Sequence, residues 1–148
     1  MSALDIATKL VIQFEGFRSH PYQDVAGVWT IGYGTIRTDD GSPVTADTPP
    51  VTEDQAEAMM MRELTPTAGR VDLLVPPDAT DNQRAACYSF AYNEGVGSFS
   101  GSTLLRVWKA GDVEAAAAQF DIWIMAGGRV VQGLINRRAA ERACFETP

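Results

Sequence analysis

Three side chains near the N-terminus could together perform acid–base chemistry. Glu15 follows a predicted helix, Asp24 lies on a predicted strand, and Thr30 lies across the turn of a predicted hairpin. An acid, a base and a group that holds water are the minimum for hydrolysing a glycosidic bond through an oxocarbenium-like transition state. Taken singly, each residue also has an ordinary structural explanation, as a solvated Glu, a turn-capping Asp and a strand Thr.

The elements that must position these side chains are predicted from the same region. Ser2 can cap a first helix, which we expect to end at Glu15 because Gly16 is a natural C-terminal stop. The negative end of the helix dipole would favour the protonated form of Glu15, as a general acid requires. Residues 22–36 change to aromatic, β-branched and glycine types, which predicts a hairpin with its turn at residues 25–27.

The rest of the chain predicts mainly helices. After a loop over residues 37–50, Thr52 begins a capping box and opens a helix that Pro66 should kink or break. Four further helices are predicted from the residues that cap and end them: 81–93 capped by Thr80 or Asp81, 102–109 opened by Ser102, 112–125 opened by Asp112 and stopped by Gly127–Gly128, and 135–145. The fold class is therefore α+β and mostly helical, with a small N-terminal lobe containing the hairpin and a larger C-terminal helical lobe flanking a cleft.

Composition and charge exclude several classes of function. The chain has 148 residues and a formal net charge of −7, which argues against nucleic acid as a partner. We find no apolar stretch of the roughly 20 residues that span a bilayer and no signal peptide, so we expect no stable membrane association and synthesis in a cytoplasm. Cys87 and Cys144 are expected to be free thiols there, although a disulfide between them stays open. No motif indicates a metal or a cofactor.

The spacing of the three candidates gives a specific match. Glu15, Asp24 and Thr30 follow the pattern Glu-x8-Asp-x5-Thr, and Thr30 opens the run Thr-Ile-Gly-Tyr-Gly. This resembles the phage lysozyme family, glycoside hydrolase family 24. The resemblance continues through Ser89–Asn93 and the segment up to residue 105, and through Gly133–Arg138 with the following Glu141, so it covers nearly the whole chain.

The resemblance implies a fold and an activity. The fold would be a single lysozyme-like domain over residues 1–148, with an α+β lobe at about 12–60 and a helical lobe at 1–11 and 61–148. The activity would be that of a muramidase, which hydrolyses the β-1,4 bond from N-acetylmuramic acid to N-acetylglucosamine in peptidoglycan. Glu15 would be the proton donor, and Asp24 and Thr30 would position and activate water with inversion at the anomeric carbon. Arg137 matches the arginine that approaches the catalytic glutamate in the family.

The same resemblance implies further site residues, and the chain departs from the family pattern in two respects. Ile36, Phe90 and Ser102 fall where family members line the cleft and contact sugars, although each could equally be a core residue or a helix cap. Thr35 stands where many members have His or Asn, which puts one cleft contact in doubt. Many members are basic, and the net negative charge of this chain would weaken its electrostatic attraction to an anionic cell wall. His20 fits a surface loop better than a catalytic role.

The leading hypothesis is a monomeric endolysin that waits in the host bacterial cytoplasm. It would be released through a holin pore and would then cut peptidoglycan in the periplasm. A lytic transglycosylase is a second hypothesis, which the presence of both Asp24 and Thr30 disfavours because that reaction needs one carboxyl group. A third is a non-catalytic wall-binding or virion structural protein on a lysozyme scaffold.

Overall fold

Helices dominate the computed structural model of the protein, which describes residues 1–148. The helices are α1 (Ala3–Ile12), α2 (Glu53–Asp72), α3 (Asp81–Glu94), α4 (Val96–Ser100), α5 (Thr103–Lys109), α6 (Val113–Gln119) and α7 (Gln132–Glu146), and the strands are β1 (Arg18–Gln23), β2 (Trp29–Gly32), β3 (Met125–Ala126) and β4 (Arg129–Val130). The predicted class, α+β and mostly helical, is confirmed. No helix is both long and apolar enough to span a membrane.

The chain divides into two compact units. Residues Val11–Glu63 form one, which we call the hairpin unit, and Met1–Leu10 together with Leu64–Pro148 form the other, which we call the helical unit. The assignment of residues 1–148 to one domain with lobes at 12–60 and at 1–11 and 61–148 stays a prediction.

The hairpin unit is built on the antiparallel pair β1 and β2. Tyr22 lies opposite Thr30 and Gln23 opposite Trp29, and an irregularity interrupts the register between Arg18 and Tyr22. The unit contains a small hydrophobic core of Ile31, Val44 and Met59, against which Trp29 and Val51 pack. At Gly32 φ is +65°, and a Cβ there would lie 3.0 Å from the Cβ of Ala56, so glycine alone fits this contact.

The first helix ends earlier than the sequence predicted. It stops at Ile12, and residues 13–15 form a turn in which the amide of Phe14 donates to the carbonyl of Val11 at 3.0 Å. The prediction that the helix ends at Glu15 was therefore wrong. The effect of the helix dipole is confined to the last helical turn. Its influence on Glu15 is therefore weaker than it would be if Glu15 were the last residue of the helix.

Helix α2 confirms one prediction and contradicts one of the two outcomes predicted at Pro66, which is the break. The capping box at its start is confirmed, since Thr52 N donates to Gln55 Oε1 at 2.9 Å and Gln55 N donates to Thr52 Oγ1 at 3.1 Å. Pro66 does not break the helix, which is continuous to Asp72. Buried side chains at helical spacing on both sides of the proline hold this stretch in place, and they are Met60, Leu64, Ala68 and Val71.

The helical unit is organised around an aromatic core between α3 and α7. Phe90 of α3 makes edge contacts with Phe99, Phe120 and Trp123, with ring centroids 5.2 to 6.2 Å apart. Phe145 of α7 extends the core by packing on Phe120 and Trp108. Such pairs add directional contacts to the apolar area that they bury.

The predicted helix over residues 112–125 is wrong in its second half. Asp112 does cap α6, since its Oδ1 accepts from Ala115 N at 3.0 Å, but the helix ends at Gln119 and a 3₁₀ turn covers Phe120–Ile122. The chain then forms the β3–β4 hairpin, whose two-residue turn is Gly127–Gly128 with φ of +59° and +76°. Two consecutive left-handed residues are what such a hairpin turn needs, so the glycines turn a hairpin instead of stopping a helix.

The two cysteines are both free thiols. Cys87 is fully buried in α3, and burial, followed by the nearby charge of Glu141, raises its pKa well above the usual value. Cys144 is half-buried in α7, its Sγ donates to the carbonyl of Asn82 at 3.3 Å, and burial raises its pKa as well. The thiolate is the reactive form, so both thiols should be slow nucleophiles.

Labelling with a thiol reagent at pH 8 tests this arrangement. We expect Cys144 to react more slowly than a free thiol in the native protein and Cys87 to react only after unfolding. The variant Cys144→Ser isolates Cys87, and it should take up no reagent until denaturant is added. Rapid native labelling of that variant would contradict the buried position of Cys87.

Candidate active site

Glu15 lies in the hairpin unit, in the turn between α1 and β1. Its side chain is half-buried. Gly34 follows β2 with a φ of +87°, and a Cβ built at this position would lie 3.9 Å from Glu15 Oε2. The backbone that leaves the hairpin therefore comes close to the carboxyl group of Glu15, and glycine leaves the space beside that group open.

Asp24 lies directly after β1, which ends at Gln23. The prediction that Asp24 lies on a strand was therefore wrong. Asp24 is exposed and opens the hairpin turn. Its Oδ1 accepts two amide hydrogen bonds at 2.9 Å, from Ala26 N and Val28 N. Its own amide donates to the carbonyl of Val28 at 2.9 Å. The ordinary role of an Asp before a turn is thus present, and it holds the carboxylate in one orientation.

Thr30 lies on β2 and is 4% exposed. Its Oγ1 donates to the carbonyl of Val28 at 2.9 Å. Val28 therefore links the two candidates, because its amide binds the Asp24 carboxylate and its carbonyl accepts from the Thr30 hydroxyl. The structure brings Asp24 and Thr30 together through this one residue.

The three predicted sugar contacts have different surroundings. Ile36 is 47% exposed in the hairpin unit. Phe90 has no exposed surface and lies at the centre of the aromatic core, so it presents nothing that a sugar could touch in this structure. Ser102 is the N-cap of α5, where Oγ accepts from Leu105 N at 3.1 Å and donates to Phe99 O at 2.7 Å. The structure thus favours the core and cap roles for Phe90 and Ser102.

Arg137 belongs to a buried polar cluster on α7. It is 4% exposed, its Nε lies 3.3 Å from Glu141 Oε2, and its Nη2 donates to the carbonyl of Ser89 at 3.2 Å. Glu141 is fully buried. Burial raises its pKa, against the opposing influence of Arg138, a hydrogen bond from Ser89, and Arg137. Sequence reasoning noted Glu141 but missed its ion pairs with Arg137 and Arg138, for which the i,i+4 and i,i+3 spacing on one helix was the available signal. It also missed the hydrogen bond to Ser89, for which the sequence holds no local signal.

Comparison with known proteins gives the family. The Phage lysozyme family model matches residues 12–141. The chain belongs to the phage lysozyme family. No group of three or more His, Cys, Asp or Glu side chains in residues 1–148 is arranged to hold a metal ion.

Individual relatives agree with this assignment. The SAR-endolysin of bacteriophage PS119 is 38% identical over 86% of this chain and 74% of that protein. The endolysin of Bacillus phage B103 is 36% identical over 99% of this chain, which spans only 55% of the length of that relative. A mutant of P22 lysozyme has a similar structure, with a TM-score of 0.87 and 30% identity over 99% of both chains. The chain is thus a glycoside hydrolase of the lysozyme type, related to endolysins.

The different surroundings of Phe90 and Ile36 lead to a prediction. Phe90→Ala should lower the free energy of unfolding by about 3–5 kcal/mol, because it leaves a cavity in the aromatic core. Ile36→Ala should change it by less than about 0.5 kcal/mol, as is usual at an exposed site. Urea denaturation of both variants measures these changes. A Phe90→Ala variant as stable as wild type would contradict a core role.

Proposed function

We propose that this protein is a muramidase that hydrolyses the β-1,4 bond from N-acetylmuramic acid to N-acetylglucosamine in bacterial peptidoglycan, and that it acts as an endolysin in host lysis. The observation that carries the proposal is that Val28 bonds to both Asp24 and Thr30. Its amide donates to the Asp24 carboxylate, and its carbonyl accepts from the Thr30 hydroxyl group. These residues stand at the family spacing from Glu15, and the carboxyl group of Glu15 lies beside Gly34 in the same unit.

In the proposed reaction, Glu15 donates a proton to the glycosidic oxygen as the bond to the anomeric carbon breaks. A water molecule attacks the opposite face of that carbon and transfers a proton to Asp24, while Thr30 holds the water. The bond forms on the face opposite the leaving group, so the product has the inverted anomeric configuration. No covalent glycosyl–enzyme intermediate is formed.

Arg137 is proposed as the partner of Glu15, as the family resemblance implies. Ile36 is proposed as a sugar contact because its side chain is exposed. Phe90 and Ser102 are proposed to act only through the packing and capping contacts described above.

The route to the cell wall is a separate part of the proposal. We propose that the enzyme is a monomer that reaches peptidoglycan from the host cytoplasm through a holin pore. Several relatives carry the name SAR-endolysin, which makes a holin-independent route the alternative to test. Lysis timing after expression with and without a holin gene distinguishes the two routes.

The hydrolase is preferred over a lytic transglycosylase because Asp24 is built into the turn with a fixed orientation. A transglycosylase needs one acid/base carboxyl and gives 1,6-anhydro ends. Mass spectrometry of digested peptidoglycan should therefore show reducing ends alone, and an anhydro product would overturn the hydrolase assignment. A non-catalytic wall-binding protein would bind peptidoglycan and release neither product.

The role of Glu15 is tested by Glu15→Gln, which keeps the size of the side chain and removes the transferable proton. We expect a loss of 10²-fold or more, of the order general acid catalysis contributes, in the clearing of permeabilised cells and the release of reducing ends. The matched control is Glu114→Gln, which changes an exposed carboxyl group on α6 and should leave the rate unchanged. Comparable rates for Glu15→Gln and wild type would disprove the assignment.

Thr30→Val separates the water-holding role from packing, because valine fills nearly the same volume without the hydroxyl group. We expect kcat to fall by about 10-fold or more while KM changes little, since losing one positioned hydrogen bond removes transition-state stabilisation. NMR of the first product formed by wild type should show the inverted anomer. Retained configuration, or full activity of Thr30→Val, would remove the proposed water site.

A further inference from the structure

A cavity lies in the helical unit where α4 leads into α5, and none of its lining residues takes part in the proposed bond cleavage. Its volume is about 340 Å³, and we call it the basic cavity. Its lining residues are Ser100, Gly101, Ser102, Leu105, Arg106 and Lys109. Two of these side chains are cations and none is an acid, so the cavity would favour an anionic ligand.

The two cations of the basic cavity have no partner inside the protein. Arg106 and Lys109 are exposed, and neither side chain forms an ion pair or a hydrogen bond with another residue. Other arginines of the protein do have a carboxylate partner, and they include Arg62, Arg84, Arg138 and Arg142. The basic cavity thus concentrates cationic groups that the fold itself leaves unpaired.

The helix dipole gives an ordinary reason for basic residues at this place. Helix α5 ends at Lys109, and cations in the last turn of a helix are favourable. The dipole does not explain why both cations border the same open space. Residues three apart on a helix are neighbours, so Arg106 and Lys109 can both reach one group in the cavity. Their like charges also repel each other, and a bound anion would relieve that repulsion.

Ser100 adds a neutral donor to the two cations. Its side chain is exposed, and its hydroxyl group makes no hydrogen bond within the protein. The hydroxyl group of Ser102 differs, because it accepts from Leu105 N at 3.1 Å and donates to Phe99 O at 2.7 Å. Ser102 therefore has no proton to offer a ligand. One hydroxyl group, one guanidinium and one ammonium group line the cavity without an acceptor.

The size of the cavity indicates the kind of anion. A water molecule occupies roughly 30 Å³ of liquid volume, so a volume of about 340 Å³ is far more than one small ion fills. Pockets for small organic ligands begin at about 300 Å³. The aliphatic stems of Arg106 and Lys109 also offer apolar walls below their charged ends. A carboxylate group attached to a short organic chain fits these features better than an inorganic ion.

We propose that the basic cavity binds a carboxylate group of the peptides that peptidoglycan carries, with Arg106, Lys109 and Ser100 as its donors. The inference rests on the proposed function, since a muramidase meets these peptides on its substrate. The formal net charge of the chain is −7, so an anionic polymer is repelled at long range. Two unpaired cations in one cavity offset that repulsion locally and hold strands that bear peptides.

Binding of a small probe tests the site without any cleavage. The probe is the dipeptide N-acetyl-alanyl-glutamate with free carboxyl groups, compared with its diamide in an NMR titration at low ionic strength. We expect the acid to shift the amide signals of residues 100–109 and the diamide to bind about 10-fold more weakly. Arg106→Gln and Lys109→Gln should each weaken binding of the acid by about 3-fold, as for exposed ion pairs, and the double variant by about 10-fold.

The matched control is Arg70→Gln, which removes the same charge from an exposed position on α2, outside the cavity. It should bind the dipeptide as wild type does. The second readout is the ratio of KM for soluble glycan strands with their peptides to KM for strands without them. The double variant should raise this ratio by about 5-fold, because lost ground-state binding appears in KM, whereas Arg70→Gln should leave the ratio unchanged.

The outcomes separate this inference from the proposed function. Equal binding of the acid and the diamide, or wild-type binding by the double variant, would overturn the carboxylate site. Binding of inorganic phosphate but not of the dipeptide would overturn it as well. If the site fails in this way while Glu15→Gln is inactive, the muramidase proposal stands. If Glu15→Gln retains full activity, the proposed function fails, and the dipeptide titration still decides the cavity by itself.

Discussion

The hairpin unit depends on the closure of one turn by its own polar side chains. Asp24 caps the turn with two amide hydrogen bonds and closes it through its own amide, which donates to the carbonyl of Val28. The hydroxyl group of Thr30 donates to the same carbonyl from two residues along the chain. A two-stranded hairpin is marginal by itself, so a turn stabilised in this way contributes to the stability of the unit. Two of the residues proposed for catalysis, Asp24 and Thr30, are therefore also bonded to the backbone of the turn beside them.

The helical unit depends on a different constraint, which is charge burial between α3 and α7. Paired contacts run along the two helices from Asn82 beside Cys144 to Glu94 beside Arg138. Removing one partner from such a set leaves another charge buried without compensation, so the register of the two helices is strongly specified. The aromatic core next to it supplies apolar burial without direction. The polar contacts select one arrangement from those that the apolar core alone would accept.

Local signals in the sequence predicted a large part of this fold, and the failures have physical reasons. Thr52, Thr80 and Ser102 were predictable caps because a side-chain oxygen that bonds the first helical turn acts within three residues. Gly127–Gly128 was ambiguous because the same φ > 0 residues can end a helix or turn a hairpin. A break was one of the two outcomes predicted at Pro66 and does not occur, since propensity rules omit the packing of the neighbouring helical face.

The candidate site was predictable to a similar extent. The spacing of Glu15, Asp24 and Thr30 identified the family, since three residue types at fixed distances are far more specific than any one of them. Phe90 was predicted as a sugar contact because its residue type matches the family pattern. Such a match carries no information on exposure, which depends on contacts distant in sequence. The link from Ser89 to Glu141 spans 52 residues along the chain, and no local pattern encodes such a distance.

The direction of one hydrogen bond bears on the proposed mechanism. A carbonyl oxygen only accepts hydrogen bonds, so the Thr30 hydroxyl group must donate its one proton to the carbonyl of Val28. Toward any further partner this hydroxyl group can act only as an acceptor. A water molecule held by Thr30 must therefore donate to it, and Asp24 as a base also accepts a proton from that water. With both protons of the water directed at the protein, its oxygen lone pair is left to face the anomeric carbon. In the proposed mechanism the turn would therefore orient the nucleophile as well as deprotonate it, which is the division of roles that an inverting hydrolase requires.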